Sequence, residues 1–364
     1  LECEVQRAII AQNPGPPMKL PLSLRLLPLL TLVSTVAADG LPPTRLSERQ
    51  DVQAFIAQMV QKHDWDRQNL VDLFDAANLR PGIVAALDKP STSRAWYQFH
   101  PNFLTAEKTR GGVAFWHRHR EWLTKAREKY GVPEEVIIAI IGVETDYGKH
   151  LGHYRAFDAL TTIAFEYPRR AEYFRQELEQ FLLLAREENV DPLTLQSSYA
   201  GALGWPQFMP GSFRSYAVDF DEDGIRDIWK NPVDVIGSIA YYFSKFGWQR
   251  DDAIVQEASA DDGVLDTLAA EKFNLKYTVG ELQQMGIKPL QPLDAQQKAL
   301  AFNLETAPGH FQAWLGLNNF YVITRYNKSI NYAMAVTRLS QSIGAAYRAS
   351  EAGQQPDGTK TKRR

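Results

Sequence analysis

Between Ser47 and about Glu188 the apolar residues recur at helical spacing. Phe55, Ile56, Met59 and Val60 share one face, and Ser47 with Gln50 three residues on resembles a capping box ahead of them. "RRAEYFRQELEQFLLLAREEN" is amphipathic: Phe174, Leu178, Phe181, Leu182 and Ala185 fall together, with Arg175, Glu179 and Arg186 on the other side. "GVPEEVIIAIIGVETDYG" is different. Ile137, Ile140 and Ile141 lie on one side and Val136, Ile138 and Val143 cover the rest, so this helix is apolar all round and is expected to be buried. Pro133 suits its first position, Glu134 and Glu135 favour the positive end of its dipole, and Gly148 offers a left-handed stop.

The pattern changes after residue 252. Short helical pieces and prolines ("KPLQPLD") lead into "ALAFNLE", "FQAWLG" and "FYVITRY", which read as short strands. "INYAMAVTRLSQSIGAAYRAS" then returns to a helical period. The predicted fold class is mainly α, with an α+β part. An upstream segment and leader occupy 1–38, an N-terminal helical subdomain 39–130, a helical core 131–251, a small α+β insertion 252–320, a return to the core 321–350, and a disordered basic tail 351–364.

Composition adds bounds. The chain has 364 residues, 45% hydrophobic and 23% charged, which suits a soluble globular protein of two or three subdomains. A net charge of −3 gives no electrostatic footprint for nucleic acid, so none is expected as a partner. Met18 and Lys19 open "MKLPLSLRLLPLLTLVSTVAADG", where Lys19 and Arg25 precede an apolar stretch and Val36-Ala37-Ala38 offers a cleavage site before Asp39. That is the layout of a secretory leader. Cys3 is the only cysteine and precedes the cut, so no disulfide and no lipid-bearing cysteine is expected in the mature chain. No second long apolar run follows, and the expectation is an exported, soluble monomer in the periplasm.

Glu144 stands out chemically, because it ends the apolar run. Desolvation and the negative end of the helix dipole both disfavour its charged form, the condition a general acid needs. The local sequence alone favours a structural Glu that reaches past the helix end to water or to an Arg. Asp146 is the nearest second carboxylate, but about 100° per residue turns it roughly 200° away. Asp158 and Glu166 lie further on.

"GVETDYG", "YPRRAEYF", "SYAGALGWPQFMPGSF", "DFDEDGIRDIW" and "ITRYN" occur in the order found in the lytic transglycosylase B family, which the chain resembles over about residues 45–350. The resemblance implies a lysozyme-like helical catalytic core. It implies cleavage of the β-1,4 bond between N-acetylmuramic acid and N-acetylglucosamine in peptidoglycan glycan strands, with a 1,6-anhydro product. Glu144 would then be the single acid and later base. It also implies that Ser198 and Gln207 line the cleft, with Tyr242, Tyr326 and Asn327 at further substrate positions, and that cell-wall synthesis enzymes are candidate partners. Two alternatives stay open: a hydrolytic muramidase, and a non-catalytic peptidoglycan-binding protein stabilised by calcium.

"DFDEDGIRDIW" places Asp219, Asp221, Asp223, Gly224 and Asp227 at loop positions 1, 3, 5, 6 and 9 of an EF-hand, with the Ile225 carbonyl at 7. A structural calcium ion is expected there. Position 12 is Lys230 rather than Glu; by resemblance the loop is longer and Asp234 closes it. Asn231, Pro232 and Asp234 also suit positions N-cap, N1 and N3 of the next helix. His117 and His119 diverge on a helix, and His150 and His153 read as surface or substrate-edge residues, so neither pair suggests a metal site.

Overall fold

The computed structural model describes residues 45–88 and 94–354. The leader and the upstream residues lie outside the described residues, as does the basic tail beyond Gln354. The described residues divide into two compact units, 45–78 and a larger one from residue 79 onward.

The smaller unit holds α1 (Gln50–His63) and α2 (Arg67–Asp75). Phe55 meets Phe74 edge-to-face at 5.8 Å, and Asp66 caps α2 by accepting the Asn69 N–H. Ser47 does not form the expected capping box. It sits in a 3-10 turn over Leu46–Glu48, and Arg49 becomes the N-cap of α1 without a side-chain bond.

In the larger unit, α3 (Pro81–Leu87) precedes two long helices and the buried one. These are α4 (Ala106–Tyr130), α5 (Glu134–Thr145) and, at the far end of the chain, α12 (Ile330–Gln354). Helices α4 and α12 both pack on α5. The residues from Val136 to Ile141 are at most 1% exposed, so the all-round apolar pattern is core. The ends of α5 differ from expectation. Pro133 is its N-cap, extended at ψ 143°, and the helix stops at Asp146 rather than Gly148. Asp146, Tyr147 and Gly148 have φ of 50°, 61° and 83°, three left-handed residues in a row. The non-glycine members cost about 1–2 kcal/mol each. Bonds from Lys108 offset this: its Nζ donates to the Gly142 carbonyl at 2.8 Å and to Asp146 at 3.3 Å, while Tyr147 donates to the Lys108 carbonyl at 2.6 Å.

Three further helices complete this frame: α6 (Ala156–Glu166), α7 (Ala171–Glu187) and α8 (Pro210–Tyr216). Phe174, Leu178, Phe181, Leu182 and Ala185 of α7 are all buried, as its amphipathic pattern predicts, but Glu179, expected on the polar side, is buried too, at 4% exposed. A two-stranded ribbon, β1 (Tyr154–Arg155) with β2 (Gln196–Ser197), and helix α9 (Pro232–Lys245) follow. Asn231 caps α9 by accepting the Val233 N–H, and Pro232 takes its first position, as the sequence suggests.

The insertion is an antiparallel sheet of order β4-β6-β7-β3-β5: β3 (Val255–Ala260), β4 (Tyr277–Thr278), β5 (Ile287–Pro289), β6 (Lys298–Ala307) and β7 (His310–Gly316). One face packs Ala258, Ala313 and Leu315 against Val279 and Leu282 of α10 (Val279–Gln284). "FYVITRY" is not a strand. It forms α11 (Asn318–Tyr326), which buries Phe320, Val322 and Ile323, and Phe320 stacks on Phe302 at 4.9 Å. Its β-branched content misleads, because one continuous apolar face against the sheet outweighs propensity.

Candidate active site

Glu144 occupies the last turn of α5 and is half-buried. Its Oε1 accepts the Tyr332 hydroxyl of α12 at 2.6 Å. Burial in this packed surround pushes the carboxyl up to about 8, although the Tyr332 bond pulls the other way. At neutral pH the group is therefore mostly a carboxylic acid, able to give a proton. Asp146 has the opposite environment. Burial pushes it up, but bonds and charge from Lys149 and Lys108 more than compensate and hold it below the usual range. Asp158 is fully buried in α6 and bonds Arg155 and Arg80. Neither carboxylate is arranged to act with Glu144.

The segment after β2 docks on the end of α5. Thr145 Oγ1 donates to the Trp205 carbonyl at 3.4 Å, and Trp205 packs so close to Gly148 that a Cβ there would lie 2.4 Å from its ring. Leu203 and Phe208 exchange backbone bonds, while Gly204 and Gln207 take φ of 63° and 54°. This tight loop sets Ser198, whose Oγ accepts the Ala202 N–H at 3.1 Å, and Gln207, whose amide donates to the Gly204 carbonyl at 2.9 Å. Tyr326 donates to the Pro206 carbonyl at 2.6 Å, and burial, with the nearby Glu144 charge, holds its hydroxyl well above the usual range. Tyr242 meets Tyr326 at 4.8 Å and donates to the Arg325 carbonyl at 2.8 Å. Asn327, which follows α11, is buried. The Tyr242 and Tyr326 hydroxyl protons are thus committed to backbone carbonyls. What these two residues can present to a ligand is a ring face or a lone pair.

Sequence reasoning missed Tyr332, the direct partner of Glu144. The only available signal was its place on the buried face of the C-terminal helix. It also missed Tyr173 and Tyr216. Tyr216 packs on Tyr242 at 4.9 Å, and burial raises the Tyr242 hydroxyl with small contributions from Tyr216 and Tyr173.

In the acidic loop, Asp219, Asp221 and Asp223 each bring one carboxylate oxygen within 4.8 Å of the others. Calcium–oxygen bonds of about 2.3–2.6 Å span such separations. Asp221 Oδ1 is buried and has no hydrogen-bond partner, a strong sign that the cluster fits a cation. The Ile225 side chain is exposed, and Asp227 accepts the Trp229 and Lys230 N–H groups. Asp234 is fully buried and accepts the Phe220 and Asp227 N–H groups, both at 2.8 Å. Burial raises it to about 6, opposed by those two bonds and reinforced by Asp221 and Asp219. Asp234 thus acts as a buckle between loop and α9. Of the histidines, His117 faces Ser350 and Glu351, whereas His119 packs on Phe115.

The family model described as transglycosylase SLT domain matches residues 47–341. The chain belongs to that family. It is 44% identical over 306 residues to membrane-bound lytic murein transglycosylase B of Escherichia coli K12, covering 81% of this chain and 83% of that one. Its fold matches lytic transglycosylase SltB1 of Pseudomonas aeruginosa with a TM-score of 0.79 and 43% identity, over 82% and 98% of the two chains. The Escherichia coli lytic transglycosylase Slt35 in complex with calcium matches with a TM-score of 0.76 and 42% identity, over 83% and 95%.

The protein is thus a lytic murein transglycosylase with the lysozyme-like, mainly helical fold of its structural neighbours, and peptidoglycan is its substrate. The family reading from five ordered motifs agrees with these comparisons. Among the described residues, no helix is long and apolar enough to cross a membrane.

Proposed function

We propose that Glu144 is the one carboxyl that performs both proton transfers. As the acid it donates to the glycosidic oxygen while the bond from the muramic C1 to that oxygen breaks. As the carboxylate it takes the proton of the same sugar's 6-hydroxyl while O6 bonds to C1. The products are a free 4-hydroxyl and a 1,6-anhydro sugar; no water is consumed, and the carboxyl ends protonated. The observation that carries this reading is the Glu144 carboxyl itself: half-buried, raised to about 8 and oriented by Tyr332. A single group then serves where a hydrolase needs two.

Ser198, Gln207, Tyr242, Tyr326 and Asn327 line the substrate position. The close Tyr242–Tyr326 pair supports a ring wall for a sugar face. Asp219, Asp221 and Asp223 would hold calcium, with the Ile225 carbonyl, Asp227 and Asp234 completing the loop around it. The ion would be structural, since Asp234 and Asn231 tie the loop to α9, which carries Tyr242. The leader-like segment supports export to the periplasm as a soluble monomer, where wall-building enzymes are the natural partners.

Purified wall sacculi digested by the parent and by Glu144→Gln test the assignment. The parent should release muropeptides one water lighter than hydrolytic products, and the variant should lose about 10²–10⁴-fold in rate. Products of hydrolytic mass would establish a muramidase instead. A variant as active as the parent would remove Glu144 from the chemistry.

A further inference from the structure

Two ammonium groups lie over one half-exposed ring, and a guanidinium bonds the same residue's carbonyl, beside the residues just described. Lys272 and Lys328 each hold an ammonium 5.7 Å from the centroid of Phe273. Arg325 Nη2 donates to the Phe273 carbonyl at 3.4 Å, and its guanidinium lies 4.4 Å from the Tyr321 ring centroid. Arg325 and Lys328 bracket Tyr326 and Asn327 in the chain, and the Arg325 carbonyl accepts the Tyr242 hydroxyl. Lys272 reaches the same ring from the insertion.

Among the described residues no carboxylate pairs with Lys272, Arg325 or Lys328, whereas nearby Lys276 bonds Glu271 at 2.9 Å. Arg325 Nε is also buried with no hydrogen-bond partner. Like charges held this close repel, and the Phe273 and Tyr321 ring faces offset only part of that. An arriving anion would relieve the rest.

The two sugars of the glycan strand are neutral apart from what the muramic unit carries. Its lactyl group bears a peptide stem with free carboxylates. The geometry points to Lys272, Arg325 and Lys328 as a recognition site for stem-peptide carboxylates, with Phe273 giving an apolar contact for the stem's small side chains. The site selects peptide-bearing strands over neutral ones. This inference rests on the reading that places Tyr326 and Asn327 along the substrate.

The test compares glycan strands bearing stems with free carboxylates against the same strands after conversion of those carboxylates to primary amides. The parent should favour the charged strands by about tenfold in kcat/KM, mostly through KM, as two or three exposed charge pairs would give. The preference should shrink at high salt. The double variant K272Q/K328Q should bring the ratio near one, and Lys328→Arg should keep the parent's ratio. Equal rates of the parent on both strands, or an undiminished preference in the double variant, would overturn the site. Glu144→Gln on the charged strands reports separately: activity there would sink the catalytic assignment but leave the charge preference to be judged on its own.

Discussion

Taking Glu144 partly out of water raises its carboxyl well above the ordinary range, to about 8. The acid role is therefore present below about pH 8 and lost above it, so kcat should fall on that basic limb. Stability follows the same proton. Between pH 4.5 and 8 the unfolded chain has released it and the folded chain has not, so the parent's stability declines as pH rises through that window. Glu144→Gln has no such decline, and melting curves from pH 5 to 8 should show its Tm gaining on the parent's. Tyr332→Phe removes the bond that favours the carboxylate. Its basic limb should move to higher pH, with kcat reduced about tenfold for loss of one orienting hydrogen bond. A pH–rate profile that keeps the parent's limb would show that Tyr332 does not act on Glu144.

At the scale of elements, the position of Glu144 depends on how α5 ends. Tyr147 fills space left by Gly111 and Gly112 of α4 and by Gly142 of α5; a Cβ on Gly142 would lie 2.7 Å from the Tyr147 hydroxyl oxygen. Gly142→Ala should cost about 1–3 kcal/mol by overpacking, measurable by urea unfolding, and it should lower kcat as the turn below Glu144 shifts. The sequence offered Gly148 as the stop, yet the helix ends two residues earlier. Lys108 lies far off in sequence, and its bonds to Gly142 and Asp146 hold the left-handed turn. Local rules could not weigh that contribution. The same holds for α11, whose β-branched run is helical because the sheet gives its apolar face a partner.

For the whole molecule, the insertion and the C-terminal helix return two groups to the core: Tyr332 against Glu144, and Tyr326 against the loop after β2. The acidic loop, buckled to α9 by Asp234, would, with calcium held as proposed, make global stability sensitive to the ion. An ion bound only by the native state adds about 2.7 kcal/mol at a hundredfold excess over Kd. Calcium should therefore raise Tm, and Asp223→Ala should abolish the rise; a melting curve indifferent to calcium and to chelator would rule the site out.

The sequence by itself determined the buried α5, the acid at its end, the loop spacing and the family, because each of these is written in neighbouring residues through periodicity and fixed motif order. It did not determine which hydroxyl touches Glu144, that two lysines hold Asp146 ionised, or that Asp234 ties the acidic loop to α9 through two backbone N–H groups. Those facts join residues as far apart as 144 and 332, and desolvation and hydrogen bonding act only once packing has closed that distance.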